Sequence, residues 1–231
     1  MSHRLVILGA GESGVGAALL AKQKDYDVFV SDGGSIKEKY KQELFENEIE
    51  FEEGKHSSEK ILNADEVMKS PGIPEKNEMV KTIRAKGISI ISEFELAYRF
   101  KGTSKIVGIT GSNGKTTTTN LVYHIFKYAG FNVGMAGNIG VSFAYMLATD
   151  AKDYYIIEIS SFQLDDIDEF KCDIAILLNI TPDHLDRYNY EMKNYVASKF
   201  KLAKNLTAKD AFIYSVDDEE TMKYMETHSS E

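Results

Sequence analysis

The stretch GITGSNGKTTTTN, residues 108–120, has the residue types of a loop that binds phosphate. The common signature G-x-x-x-x-G-K-[ST] ends here in Gly114, Lys115 and Thr116, but its first glycine would fall at Ile109. The glycines stand instead at 108, 111 and 114, a re-spaced loop that keeps the groups the chemistry needs. Backbone N–H groups over Gly111, Ser112, Asn113 and Gly114 can cradle phosphate oxygens, and the Lys115 ammonium can reach the β- and γ-phosphates of ATP. The Thr116 hydroxyl can ligate Mg²⁺, with Thr117 beside it at the helix start. Glu158, at the end of the apolar run DYYIIEIS, is placed to share that ion. Alone, a carboxylate at a strand end is more often solvated; in the same sheet as a phosphate loop, ligation is the better reading.

A second glycine cluster opens the chain. GAGESG places Gly9, Gly11 and Gly14 between a strand and a helix, and Asp32 ends the next strand, where a dinucleotide fold holds a ribose. Taken alone, this half suggests a nicotinamide-dependent oxidoreductase. The bland alternative is a tight turn with Asp32 exposed. KSPGIP (69–74) adds a Ser70-Pro71-Gly72 turn at another strand end, where such sheets bind ligands and where most turns are only turns.

The elements that must position these groups follow from periodicity. Apolar runs at 4–11, 26–32, 65–72 and 87–91 alternate with amphipathic stretches at 13–24, 36–46, 76–86 and 93–100. After KGTS the rhythm restarts, with strands at 105–110, 131–137, 153–160, 173–180 and 210–216 and helices at 114–129 and 191–204. Apolar strands between polar-faced helices imply parallel sheets covered on both sides. The expected fold is α/β throughout: a Rossmann-like N-terminal domain over residues 1–95, then a P-loop-type central domain over 96–231. A net charge of −9 argues against nucleic acid or an anionic membrane surface as partner. One cysteine, Cys172, permits no internal disulfide, and MSHRLVILGAG is too short in its apolar run for a signal peptide. A cytoplasmic monomer with no membrane insertion is expected.

GITGSNGKTT, GNIG (137–140), EISSFQL (158–164) and LLNITPDHLDRY (177–188), in that order, resemble the motifs of the Mur ligases and the related folylpolyglutamate synthetases. The SSFQL segment points to the branch that joins D-glutamate to UDP-N-acetylmuramoyl-L-alanine, and the resemblance covers all 231 residues. It implies an ATP-dependent amide ligase of peptidoglycan-precursor synthesis, in which ATP converts a substrate carboxylate to an acyl phosphate that an amine then attacks. It implies two Mg²⁺ ions, with Thr116 and Glu158 on one, and His184 on the second together with Lys199 as a CO₂-derived carbamate. Without the resemblance Lys199 reads as a solvated helix lysine and His184 as a cap or surface residue, while Asp183 either orients the imidazole or caps the short helix that begins there.

The resemblance also assigns the nucleotide sugar to Glu12, Ser13, Asp32 and the Ser70-Pro71-Gly72 turn, and its muramoyl-alanine arm to Asn138, Ser160 and Gln163. Two departures stand out. SDGGS (31–35) lacks the basic residue some members place against the diphosphate. The chain also stops at METHSSE, whereas family members continue into a C-terminal domain that binds D-glutamate. The expectation is a fragment with an incomplete central domain, unable to complete the reaction. The alternatives kept open are the oxidoreductase and a folylpolyglutamate-synthetase-like ligase.

Overall fold

The computed structural model describes residues 2–228, so Met1 and residues 229–231 of the closing METHSSE lie outside it. The chain begins with β1 (Arg4–Leu8), α1 (Glu12–Gln23), β2 (Asp27–Asp32), α2 (Glu38–Glu46) and β3 (Glu50–Glu53). It continues through α3 (Ser58–Ile61), β4 (Glu66–Lys69), α4 (Glu78–Ala85), β5 (Ser89–Ile91) and α5 (Glu93–Phe100). Next come β6 (Lys105–Thr110), α6 (Lys115–Tyr128), β7 (Val133–Gly137), α7 (Phe143–Thr149) and β8 (Tyr154–Glu158). The last elements are β9 (Ile174–Leu177), α8 (Met192–Phe200), β10 (Ala211–Tyr214) and α9 (Glu219–His228), with 3-10 turns at Ser161–Leu164, Leu185–Arg187 and Lys201–Ala203.

The chain forms two compact units. The first holds the chain up to Lys101 together with Val141–Ala151 and Asp166–Asp168, and the second holds Gly102–Gly140, Lys152–Asp165 and the chain from Glu169 onward. The units part between Lys101 and Gly102, inside the KGTS stretch where the strand and helix rhythm restarts; a division at 95/96 would run through α5. A helix held by one apolar face is not cut midway: Phe94, Leu96 and Ala97 of α5 are all fully buried.

In the first unit the described strands form a parallel sheet in the order β3-β2-β1-β4-β5. RLVIL is apolar on both pleat faces because β1 is central, and Leu5, Val6, Ile7 and Leu8 are at most 1% exposed. The strand β3 was not expected from the sequence. EFEE is acidic and lies at the sheet edge, paired only with β2, so it needs no apolar alternation on its outer side.

The helix α7 was also unexpected. Parallel neighbours need a crossover, and β7 pairs parallel with β8, so a connection had to lie between them. It packs in the first unit against α1, where a Cβ on Gly16 would come within 2.7 Å of the Tyr145 backbone nitrogen. Its first turn is held by acidic side chains: Glu12 Oε1 accepts the Ser142 N–H at 3.1 Å, and Glu93 accepts the Ala144 N–H. Glu93 is 3% exposed, and burial pushes its carboxyl up to about 7 despite the bond from Ala144. Ser142 caps the helix, its Oγ accepting the Tyr145 N–H at 3.1 Å. Ser142→Ala is expected to lower unfolding stability by about 1 kcal/mol, the ordinary worth of such a cap, measured by urea denaturation.

In the second unit the described strands are again all parallel, in the order β10-β9-β6-β8-β7. β6 is central, so whatever follows its carboxyl end has β8 on one side and β9 on the other. Among the described residues no helix is long and apolar enough to cross a membrane. Cys172 is buried, its Sγ within 2.4 Å of a Cβ built on Gly108, which keeps that β6 position a glycine.

Candidate active site

The loop after β6 begins α6. Gly114 is the helix N-cap at φ +83°, a left-handed conformation that L side chains rarely adopt, and the N–H groups of the first turn are thereby left free for a ligand. Residues just past the carboxyl end of β9, with one from α8, brace the loop. Asn179 O accepts the Ser112 N–H at 2.9 Å, Asn179 Oδ1 accepts the Asn113 N–H at 2.9 Å, and Asn179 Nδ2 donates to Asn113 O at 3.1 Å. Ser112 Oγ donates to Thr181 O and accepts the Thr181 N–H, both at 2.9 Å, and the Tyr195 hydroxyl lies 3.1 Å away. Asn179, Thr181 and Tyr195 were not singled out from the sequence. Their role is visible only once β9 and α8 lie beside the loop, although Asn179 and Thr181 fall inside LLNITPDHLDRY.

Lys115 Nζ donates to Gly111 O at 2.8 Å and to Ser112 O at 3.0 Å. Lys199, on α8, donates to the same Gly111 carbonyl at 2.9 Å. Two lysines therefore converge on one oxygen of the phosphate loop. Lys199 is 2% exposed, and its Nζ lies 4.6 Å from the centre of the Tyr195 ring. This overturns the solvated-lysine alternative. Burial pushes its amine down to about 7, the charge of Lys115 adds to that shift, and Asp183 opposes it.

Glu158 closes the other side of the loop. Residue 158 is 1% exposed, its Oε2 accepts the Thr116 hydroxyl at 2.8 Å, and its Oε1 accepts Asn138 Nδ2 at 2.8 Å. No lysine or arginine pairs with it among the described residues, so its charge is met by hydrogen bonds alone. A buried carboxylate beside a hydroxyl, with no cation, fits a Mg²⁺ ion, which takes one or two protein oxygens and completes its shell from phosphates and water. Among the described residues no three His, Cys, Asp or Glu side chains converge as a ready-made metal cage.

Ser160 and Gln163 are brought together as a capping box on the Ser161–Leu164 turn, Gln163 Oε1 accepting Ser160 N–H and O–H at 2.9 Å each. His184 is less closely tied. It caps the Leu185–Arg187 turn at φ +50°, its Nε2 lies 3.5 Å from Asp183, and its ring packs 5.2 Å from that of Phe162. Among the described residues no hydrogen bond joins it to Lys199, Glu158 or the phosphate loop.

The first unit has its own candidate site, at the carboxyl ends of β1 and β4, where the strand order reverses. The glycine loop and the Ser70 turn meet there: Ser70 Oγ donates to Gly9 O at 3.3 Å. A cavity of about 370 Å³ is lined by Ala10, Gly11, Glu12, Asp32, Ser35, Lys37 and Tyr40. Ser13, Ser70, Pro71 and Gly72 are not among those lining residues. Asp32 is engaged by its own backbone, Oδ2 accepting the Ala10 N–H at 2.7 Å and Oδ1 the Gly34 N–H at 2.8 Å. Lys37, the N-cap of α2, puts a cation on the cavity wall. A larger cavity, about 510 Å³, lies among Lys193, Val196, Tyr224 and His228, and none of the expected site residues lines it.

The family model described as the Mur ligase middle domain matches residues 109–231, and that of the MurD N-terminal domain matches residues 4–79. The UDP-N-acetylmuramoylalanine–D-glutamate ligase of Christiangramia forsetii is 56% identical over 226 residues, covering 98% of this chain and 51% of that protein. The enzyme of the same name from Bacteroides fragilis is 56% identical over 225 residues, 97% of this chain and 50% of that protein. The chain thus spans about half the length of the curated relatives it matches. Among solved structures, the UDP-N-acetylmuramate:L-alanyl-gamma-D-glutamyl-meso-diaminopimelate ligase of Neisseria meningitides shares the fold, with a TM-score of 0.68 at 18% identity over 98% of this chain and 75% of that one.

Proposed function

The chain belongs to the Mur ligase family, and from that premise we propose that it supplies the ATP-binding and nucleotide-sugar-binding parts of a ligase joining D-glutamate to UDP-N-acetylmuramoyl-L-alanine. The observation that carries this reading is the contact of Thr116 with the buried Glu158 at the mouth of a phosphate loop, in a chain 56% identical to ligases of that name.

In this reading Gly111, Ser112, Asn113, Gly114, Lys115, Thr116 and Thr117 bind the triphosphate of ATP, with Asn179 and Thr181 fixing the loop. Thr116 and Glu158 hold one Mg²⁺. His184 and Lys199 hold a second, Lys199 as its carbamate. Mg²⁺ supplies charge neutralisation for phosphoryl transfer from ATP to the substrate carboxylate. Lys199 forms the carbamate when its neutral amine adds to CO₂: an N–C bond forms and a proton leaves to solvent. The buried amine, pushed down to about 7, is largely neutral at mildly alkaline pH, and the product anion replaces a cation that faces Lys115 across Gly111 O.

Asn138, Ser160 and Gln163 hold the muramoyl-alanine arm, and Glu12, Ser13, Asp32 and the Ser70-Pro71-Gly72 turn serve the uridine diphosphate end, joined by Lys37 as the diphosphate cation. Binding of D-glutamate and completion of the amide are assigned to the whole ligase. A monomer acting in the cytoplasm fits the charge of −9 and the single buried cysteine.

The dinucleotide reading has one observation in favour, the glycine loop opening α1. Against it, a nicotinamide reaction leaves the loop after β6, the buried Glu158 with its Thr116 contact, and the buried Lys199 without a role. Calorimetry on the 231-residue chain separates the readings: heat of binding is expected with MgATP and with UDP, and none with NAD. Tight NAD binding, or no response to MgATP, would overturn the ligase reading.

A further inference from the structure

A polar cluster in the first unit has no part in the roles assigned above. Ser31 and Glu52 face each other in register across β2 and β3, and His56 follows in the loop after β3. Glu52 Oε1 accepts Ser31 Oγ at 2.8 Å and the Ser57 N–H at 2.7 Å, while Oε2 accepts Ser57 Oγ at 2.6 Å. Burial alone would raise the Glu52 carboxyl, but the bonds from Ser57 and Ser31 outweigh it and hold the group below its ordinary range. Glu52 is therefore ionised and can only accept.

That fixes the tautomer of His56. Ser31 has one hydroxyl hydrogen, and the carboxylate takes it; Lys55 O, at 3.4 Å, is too far to compete. The Ser31 oxygen must then accept from His56 Nδ1, 2.7 Å away. With the proton on Nδ1, the neutral ring keeps a bare lone pair on Nε2. Nε2 has no hydrogen-bond partner among the described residues.

The ring stands beside the turn that carries Asp32. A Cβ built on Gly33 would lie 3.0 Å from His56 Nε2, so the imidazole edge occupies the space a side chain at position 33 would take. The loop is fastened there a second time by the Gly54 N–H, which donates to Gly34 O at 2.9 Å. With the ring bonded through Nδ1 and its loop fastened to the turn, Nε2 can accept with little ordering cost on binding.

We propose that His56 is a specificity-determining residue of the nucleotide-sugar site, its Nε2 accepting the ring N3–H that uracil has and cytosine lacks. Cytosine would bring a lone pair against a lone pair. The proposal rests on the nucleotide-sugar reading of this site, since it needs a pyrimidine nucleotide against the Asp32–Gly34 turn.

The test is calorimetry of UDP, CDP and N3-methyl-UDP against the 231-residue chain and its His56→Ala and His56→Gln variants, with MgATP as a control for folding. The parent chain is expected to bind UDP about tenfold more tightly than the other two, the worth of one buried hydrogen bond. His56→Ala should lose that preference with ATP affinity unchanged, and His56→Gln, which keeps an acceptor oxygen, should retain part of it. Nitrogen-15 NMR of the parent needs no variant: it should show the Nδ1–H tautomer, with an Nε2 resonance that moves on adding UDP and not on adding CDP. A parent that ignores UDP overturns the nucleotide-sugar reading and this proposal with it. A parent that binds UDP, with an undiminished preference in His56→Ala or an unmoved Nε2, overturns the role of His56 alone.

Discussion

Lys199→Met is expected to be more stable than the parent chain at pH 6, by on the order of 4 kcal/mol, in CO₂-free buffer. The lysine is 2% exposed and its folded pKa of about 7 lies below its ordinary 10.5. Between those values the unfolded state holds more protons than the folded one, so this group's contribution to stability rises with pH. Below pH 7 both states are charged and the full penalty of the buried ammonium is present. Urea denaturation of both proteins at pH 6, 8 and 10 should therefore show a gap that narrows as pH rises, since the titration of this amine is the main difference between the two. Methionine keeps the length of the side chain and removes the charge, which separates this effect from a cavity. Added ¹³C-bicarbonate should give the parent a carbamate resonance that the variant lacks. A flat stability difference with pH would mean that the amine is not destabilised by its site. A missing carbamate signal would remove that group from the proposed mechanism.

Lys115→Ala is expected to weaken MgATP binding by about 2–3 kcal/mol, or roughly 30- to 150-fold, the range of a charge-assisted bond to phosphate. Lys115 Nζ rests on Gly111 O and Ser112 O, within the loop that would hold the phosphates, so a small movement brings it to them. UDP binding in the first unit should be unchanged, which controls for global damage. ATP affinity equal to that of the parent would refute the phosphate-loop assignment.

Much of the molecule was legible in one dimension. The alternation of apolar runs with amphipathic stretches foretold two parallel sheets, because a strand buried on both faces must be apolar at every position, as RLVIL is. What it could not foretell were the elements lacking that pattern. EFEE is an acidic edge strand, and FAYMLAT is a short helix recruited into the first unit from far along the chain. The first compact unit runs to Lys101, inside the KGTS stretch where the rhythm restarts, because α5 is held to it by packing.

The site divides in the same way. The loop after β6 could be read from the chain because its groups are contiguous: glycines, lysine and threonine lie in one turn, and local order is enough to define them. Lys199 is the opposite case. Nothing local separates it from Lys201 or Lys204 on the same stretch, and only packing buries it against Tyr195 and aims it at Gly111 O. The same holds for Asn179 and Thr181, whose partners Ser112 and Asn113 are distant in sequence. The sequence by itself determined the alternation, the loop and the strand-end acid Glu158. The tertiary structure decided which lysine is buried, which hydroxyl meets the acid and which cation lines the cavity, because desolvation and hydrogen-bond geometry depend on neighbours brought together only by the fold.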